Sequence, residues 1–293
     1  MDRLLQFLIA GLSAGSLYAL VALGLVLVYR STRVLNFAHG EVATLGTFVT
    51  FGLVTAGHSF GLALAGGVLA GAAVSVAFYL AVLVPAQRRG AGPLGFVILT
   101  LGLSQVLHGF TMYRWRAEPE RFPFPVSDGT TLRVGPLFVS PLSLATLAAG
   151  LVGALALYLV IEKTRLGLAL RAISENLQAA QTLGLPTRPI LAFAWGLSAA
   201  LAVVAGVFLA AQLLLDPFFM LDPFLKAFAA ATLGGLNSLP GAVVGGLLLG
   251  ALESLAGAYL GVEFKNTLAF FVIILVLLVR PEGLLGKEFK ERV

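Results

Sequence analysis

The sequence predicts an all-α membrane protein, a polytopic helical bundle of about eight or nine membrane segments with broken helices. Three observations carry that reading. Hydrophobic residues fill 59% of 293 positions and charged ones only 11%, against about 25% charged in a soluble domain. The mean hydropathy is +0.98. Leu4–Tyr29 runs for 26 residues without a charge, and about 20 apolar residues cover a hydrocarbon core of about 30 Å. That leaves no room for a separate soluble catalytic domain, so 1–293 reads as one transmembrane domain. The net charge of +5 reports orientation rather than nucleic-acid binding. With no cysteine, disulfides, thiolate metal sites and cysteine nucleophiles are excluded.

Taken in order, the apolar runs are Leu4–Tyr29, Val42–Ala56, Phe60–Val84, Gly95–Tyr113, Pro141–Ile161, Ile190–Leu215, Phe224–Leu236, Ala242–Leu260 and Thr267–Val279. The first is longer than the ~7–15 apolar residues of a signal peptide and is read as a span. Val42–Ala56 has 15 residues, about 22 Å as a helix, short of the core thickness. Phe224–Leu236 is shorter still and runs into the Gly- and Pro-rich stretch Gly234–Gly241. Gly and Pro at that density break a helix. In transporters, broken segments point to the translocation path.

Lys and Arg in short loops assign the sides. The loops 85–93 and 162–189 hold Arg88, Arg89, Lys163, Arg165, Arg171 and Arg188, and the tail adds Arg280, Lys287, Lys290 and Arg292. These are placed in the cytoplasm. The segments 114–140 and 216–223 go outside, although the former carries Arg114, Arg116, Arg121 and Arg133. Gly11/Gly15, Gly67/Gly71, Gly241/Gly245 and Gly246/Gly250 repeat a four-residue spacing that lets helix backbones approach closely.

The segment Gly167–Pro186 is out of place in a membrane. Leu170, Ile173, Leu177, Ala180 and Leu183 recur at helical spacing, with Arg171, Glu175, Asn176 and Gln178 opposite, and Gly184 then Pro186 stop the helix. A cytoplasmic amphipathic helix of about four turns is expected. A bilayer-surface connector is one use for it. Its single Arg, single Glu and amides suit docking to a protein better.

Ionisable groups near or inside spans are the candidates for function. Leu35–Glu41 interrupts the apolar N-terminal region with Asn36, His39 and Glu41. His39 and Glu41 point about 200° apart on a helix, so no metal site is expected there. Asn36 and His39, three apart, share a face and either hold a broken helix or line the path. Ser104 and His108, one turn apart, have no carboxylate nearby in sequence and resemble a satisfied polar pair. Glu253 is the carboxylate clearly within a span, with Lys226 or the Asn36/His39 cluster as partners to choose from. Lys226 either snorkels to the interface or meets a passing carboxylate, and Asn237 lies in the Gly-rich break. No catalytic constellation or cofactor motif is present, so no enzyme is expected.

Three blocks are specific to a family. Arg171-Ala-x-x-Glu175-Asn-x-x-Ala-Ala180-x-x-x-Gly184-Leu, followed by an apolar run with Ala205-Gly206, resembles the cytoplasmic loop of ABC importer permeases. The block Leu35–Glu41 resembles the "NFAHGE" signature of the branched-chain amino acid permeases of bacteria, and Leu225–Gly235 with Ser238–Ala242 resembles a third block of that family. The blocks come in family order over nearly the whole chain, and the N-terminal one, Leu35–Glu41, is similar to that of the LivH-type subunit.

The resemblance implies a transmembrane permease subunit of an ATP-binding-cassette importer for branched-chain, hydrophobic amino acids in the bacterial inner membrane. It implies as partners a second permease (LivM-type, or a second copy), two cytoplasmic ATPase subunits and an extracytoplasmic substrate-binding protein. No nucleic acid is involved. The chain has no Walker A motif, so any ATPase is another chain. On this reading 162–189 is the coupling loop, with Arg171, Glu175, Asn176 and Gly184 meeting the ATPase. Asn36, His39, Glu41, Lys226, Asn237 and Glu253 are candidates for the translocation path or gate. The competing reading is an ion-coupled secondary transporter of a small polar or amphipathic solute, in which Glu253 and His39 carry a proton.

Overall fold

The computed structural model describes residues 2–116, 118–126, 132–134, 137–261 and 263–286; the tail bases Lys287, Lys290 and Arg292 lie outside them. The helices are α1 (Asp2–Thr32), α2 (His39–Thr55), α3 (Phe60–Phe78), α4 (Val84–Arg88), α5 (Pro93–Trp115), α6 (Pro141–Lys163), α7 (Arg165–Glu175), α8 (Leu177–Thr182), α9 (Thr187–Ala210), α10 (Leu221–Gly234), α11 (Leu239–Tyr259) and α12 (Phe264–Val279). A short antiparallel hairpin, β1 (Leu132–Val134) with β2 (Leu137–Val139), precedes α6. Among the described residues, six helical stretches are long and apolar enough to cross a membrane. Helices α2, α10 and α12 are shorter, at 17, 14 and 16 residues, as their short apolar runs predict.

Helices α3 and α4 form one rod joined by a π-helical turn, Tyr79–Leu83. Pro85 has no N–H to give the carbonyl of Ala81, so the ladder slips by one residue and Val84 N–H donates to Tyr79 O.

Two compact units divide the chain: Met1–Val26, Val126–Leu151 and Asp222–Val293 form the first, Leu27–Pro125 and Val152–Leu221 the second. In the first, α1 and α11 cross antiparallel at their glycines. Gly11 lies against Gly250, Gly15 against Gly246, and Ser254 Oγ donates to Phe7 O at 2.7 Å. Ser13 and Ser16 donate to Ser143 O and Thr146 O, which sets α1 parallel to α6. The Gly-rich break becomes a turn: Gly234 packs on Gly241 and Gly245 on Ala230, so α10 and α11 form an antiparallel hairpin. Ser238 Oγ caps α11 by accepting from Gly241 N. The last carbonyls of α10 accept N–H groups from Leu284 and Leu285, which satisfies a helix end that would otherwise be bare.

In the second unit, α2, α3 and α9 form the tightest packing. Gly46 meets Gly67, Gly71 meets Val42 and Val203, and Gly206 meets Ala43 and Thr47. Trp195 is fully buried beside Phe78 and Tyr79. These pairs run α3 antiparallel to α2 and α9. Glu41 opposite His108 and Phe48 opposite Trp115 make α5 parallel to α2. The loops 89–92 and 183–186 therefore share one end of the unit, and the turn 56–59 lies at the other. That is the alternation the basic loops require. Single cysteines test the sides, because the chain has none. Gln178→Cys should react only with reagent on the cytoplasmic side and His58→Cys only from outside. Both positions are exposed, and reversal of both patterns would invert the topology.

The expected four-turn amphipathic helix is instead two helices. Asn176 adopts extended backbone and its Oδ1 accepts from Ala179 N at 2.9 Å. A side chain that competes for backbone N–H groups prefers a cap to a helix interior, so Asn176 ends α7 and starts α8. Leu170, Ile173 and Ala180 are buried, whereas Leu183 is exposed because α8 has already ended. Gly184 has a φ of +78° and Leu185 N donates to Ala180 O, the glycine stop the sequence predicts.

Candidate functional site

All the path candidates except Asn237 fall into two clusters, one in each unit. In the first unit α10 supplies Lys226 and α11 supplies Glu253. The Lys226 ammonium is 2.8 Å from Glu253 Oε1 and 2.7 Å from Asp222 Oδ2, one turn earlier on its own helix. The Lys226 side chain is 5% exposed, that of Glu253 12% and that of Asp222 47%. Tyr18 of α1 completes the cluster: Lys226 Nζ stands 5.8 Å from its ring centroid. Lys226 is thus buried and doubly paired rather than snorkelling, and of the two partners open to Glu253 it is Lys226 that holds it. The pair joins α10 to α11 through a contact that is almost closed to solvent. Asn237 is not part of the cluster. It lies in the turn before α11 and faces Gly286, about 21 Å along the helix from Glu253.

In the second unit the irregular backbone Arg33–Ala38 joins α1 to α2. Asn36 lies outside the helix: its Oδ1 accepts from Ala38 N at 3.1 Å, and its carbonyl accepts from His39 N at 3.3 Å. The one-face helical geometry expected for Asn36 and His39 gives way to a turn that Asn36 stabilises. Both are buried, at 4% and 1% exposure. His39 opens α2 and its Nδ1 is 3.4 Å from Ser198 Oγ of α9. Glu41, two residues on, points to α5, where His108 Nδ1 is 3.4 Å from its Oε1. No carboxylate for His108 is visible in its own stretch of sequence, because Glu41 is 67 positions away and only the parallel packing of α2 and α5 joins them. The His108 ring also lies 4.4 Å from that of Phe218. Glu41 Oε2 is buried with no hydrogen-bond partner among the described residues.

The coupling candidates lie on α7 and α8. Arg171 pairs with Glu162 at the end of α6, so its guanidinium already has a carboxylate within the chain. Glu175 and Asn176 are exposed. Asp222, Tyr18, His108 and Glu162 are the residues that sequence reasoning left out of the site. Only Asp222 carried a local signal, its i,i+4 spacing to Lys226.

These features define a multi-pass α-helical membrane protein with ionisable clusters held inside its helix packing. The chain belongs to the family of branched-chain amino acid transport system permease components, whose model matches residues 7–278. It is 35% identical to the high-affinity branched-chain amino acid transport system permease protein LivH of Salmonella typhimurium, over 99% of this chain and 97% of that one. Identity to the corresponding BraD protein of Pseudomonas aeruginosa is also 35%, over 99% and 98%. The LivH-type assignment made on three sequence blocks is borne out along the full length. Among solved structures, PsaBC from Streptococcus pneumoniae in complex with Fab matches with a TM-score of 0.53 at 14% identity, covering 96% of this chain and 93% of that one. At that identity the likeness is one of fold.

Proposed function

We propose that this chain is a membrane-spanning subunit of an ATP-driven importer of branched-chain amino acids in the bacterial inner membrane. The observation that carries the proposal is full-length identity to permease proteins of high-affinity branched-chain amino acid transport systems. Its role is conduction rather than catalysis, and its energy comes from two cytoplasmic ATPase subunits, since it lacks a phosphate-binding loop of its own. A second permease, LivM-type or another copy of this chain, completes the bundle. An extracytoplasmic binding protein delivers the solute.

The helix pair α7–α8, with Gly184 as its stop, is the coupling element. Motion of the ATPases is transmitted through it and shifts the bundle between outward- and inward-open states. In this role Arg171 acts through its pairing with Glu162, which ties α7 to the end of α6. Glu41, with an unused carboxylate oxygen beside a half-buried His108 and Phe218, is the path candidate best supplied to meet a substrate ammonium. Asn36 and His39 support it by fixing the start of α2. Lys226 and Glu253 act as a helix clamp, and Asn237 as part of the hairpin turn.

The test is reconstitution of the chain with its co-purifying subunits in proteoliposomes, followed by leucine uptake. Uptake should require enclosed ATP and the binding protein, and it should survive a proton uncoupler at fixed ATP. Uptake that collapses with the uncoupler while ATP is held constant would replace this reading with the ion-coupled one.

A further inference from the structure

At the end of the second unit that carries α7 and α8 lies a cavity of about 240 Å³. Its walls are the last turn of α1, the π-helical turn after α3, the end of α7 and the start of α8. Three charged side chains line it: Arg30 and Arg33 on one wall, Glu175 on the other. Leu83, Ile173 and Leu191 supply an apolar wall. Arg30 and Glu175 face the same small space, yet neither makes an ion pair with the other or with any other described residue. Arg33 lies 5.9 Å over the ring of Tyr29.

Opposite charges that share a cavity without touching form a receptor for a molecule carrying both charges itself. A purely anionic occupant meets the arginines but is repelled by Glu175, and a cation meets the reverse. A zwitterion satisfies both walls, and an aliphatic side chain on it covers the apolar wall. The size agrees, because drug-sized ligands take about 300–1,000 Å³ and this cavity is just below that range. We propose that the cavity binds a zwitterionic aliphatic amino acid from the cytoplasm, its carboxylate on Arg30, its ammonium on Glu175 and its side chain against Leu83, Ile173 and Leu191. The choice of amino acid rests on the importer reading above. A ligand held this way ties the end of α1 to α7 and occupies the Glu175 carboxylate that otherwise meets the ATPase, so accumulated product restrains the coupling element.

The experiment uses the assembled complex in inside-out vesicles without ATP, with radiolabelled L-leucine as the probe and 4-methylpentanoate, which lacks the ammonium, as competitor. Binding should be saturable. Arg30→Gln should weaken leucine and 4-methylpentanoate alike by about tenfold, the loss of one charge-assisted hydrogen bond. Glu175→Gln should weaken leucine by about tenfold, whereas 4-methylpentanoate, relieved of a repelling carboxylate, should bind as tightly or more tightly. No binding at this face, or leucine binding that both variants leave intact, overturns the site. So does an Arg30-dependent affinity for phosphatidylglycerol with none for leucine, which would make it a lipid-headgroup site. ATP-driven uptake measured on the same preparation separates the two ideas. Uptake without cytoplasmic-face binding removes this site alone, whereas no leucine uptake removes the importer reading.

Discussion

Replacing Lys226 with methionine should strip the protein of most of its thermal stability, while Glu253→Gln should be mild. Lys226 is nearly buried and its ammonium touches two carboxylates. Methionine keeps the length of the side chain and removes the charge. Glu253 is then left with its carboxylate shut between helices and no cation, and breaking a buried pair from one side costs about 3–5 kcal/mol. That is a large fraction of the roughly 5–15 kcal/mol typical of a folded domain. Glu253→Gln leaves Lys226 its second carboxylate on Asp222 and keeps one acceptor, so its expected cost is about 1–2 kcal/mol. Asp222→Asn should be milder still, since that carboxylate is half exposed and an exposed i,i+4 pair contributes a few tenths of a kcal/mol. The discriminating variant is the double substitution Lys226→Met/Glu253→Gln, which removes both charges and should recover most of what the single lysine change loses. Thermal melting of detergent-solubilised protein, read by the fraction that stays monodisperse, measures all four. A Lys226→Met variant that melts with the parent protein would show that the pair does not clamp α10 to α11.

The parts of this structure that were legible in the sequence are those governed by local rules. Spans followed from length and apolarity, and the short ones at α2 and α10 were recognisable as short. The glycine spacings marked close helix contacts, and Gly184 marked a helix end because φ near +78° suits a residue without a Cβ. What the sequence could not supply were pairings between separate elements. His108 acquires its carboxylate from 67 residues away, and Arg171 is taken by Glu162 through a turn whose geometry depends on Thr164 and Gly167. Lys226 and Glu253 were both visible as candidates. Their mutual pairing depends on whether Gly234–Gly241 interrupts one helix or turns between two, and local composition reads the same either way. The split at Asn176 is hidden for a different reason. Helical periodicity continues through it, and only the cap hydrogen bond reveals that the backbone does not.

The crossing of α1 with α11 should tolerate no side chain at all. An ideal Cβ built on Gly15 lies 2.6 Å from Gly246 O, one on Gly11 lies 2.7 Å from Gly250 O, and one on Gly246 lies 2.5 Å from Ala19 N. Real Cβ atoms essentially never come within 3.0 Å of such neighbours, and these neighbours are backbone rather than flexible side-chain ends. The helices must separate to admit a methyl group, which loses packing along the whole contact. In a bilayer that packing is the main attraction between helices, because lipid tails are as apolar as leucine. Gly246→Ala is therefore expected to cost about 1–3 kcal/mol, the range for an overpacked core, and Gly246→Leu should abolish recovery of folded protein. Gly102→Leu on α5 is the matched control: nothing lies within 4 Å of its Cβ position and the residue is exposed. It should express and melt like the parent. The ordering Leu below Ala below Gly at 246, with no ordering at 102, is the signature of close backbone contact. If Gly246→Leu folds and melts like the parent, α1 and α11 do not cross at these residues, and the four-residue glycine spacing has another cause.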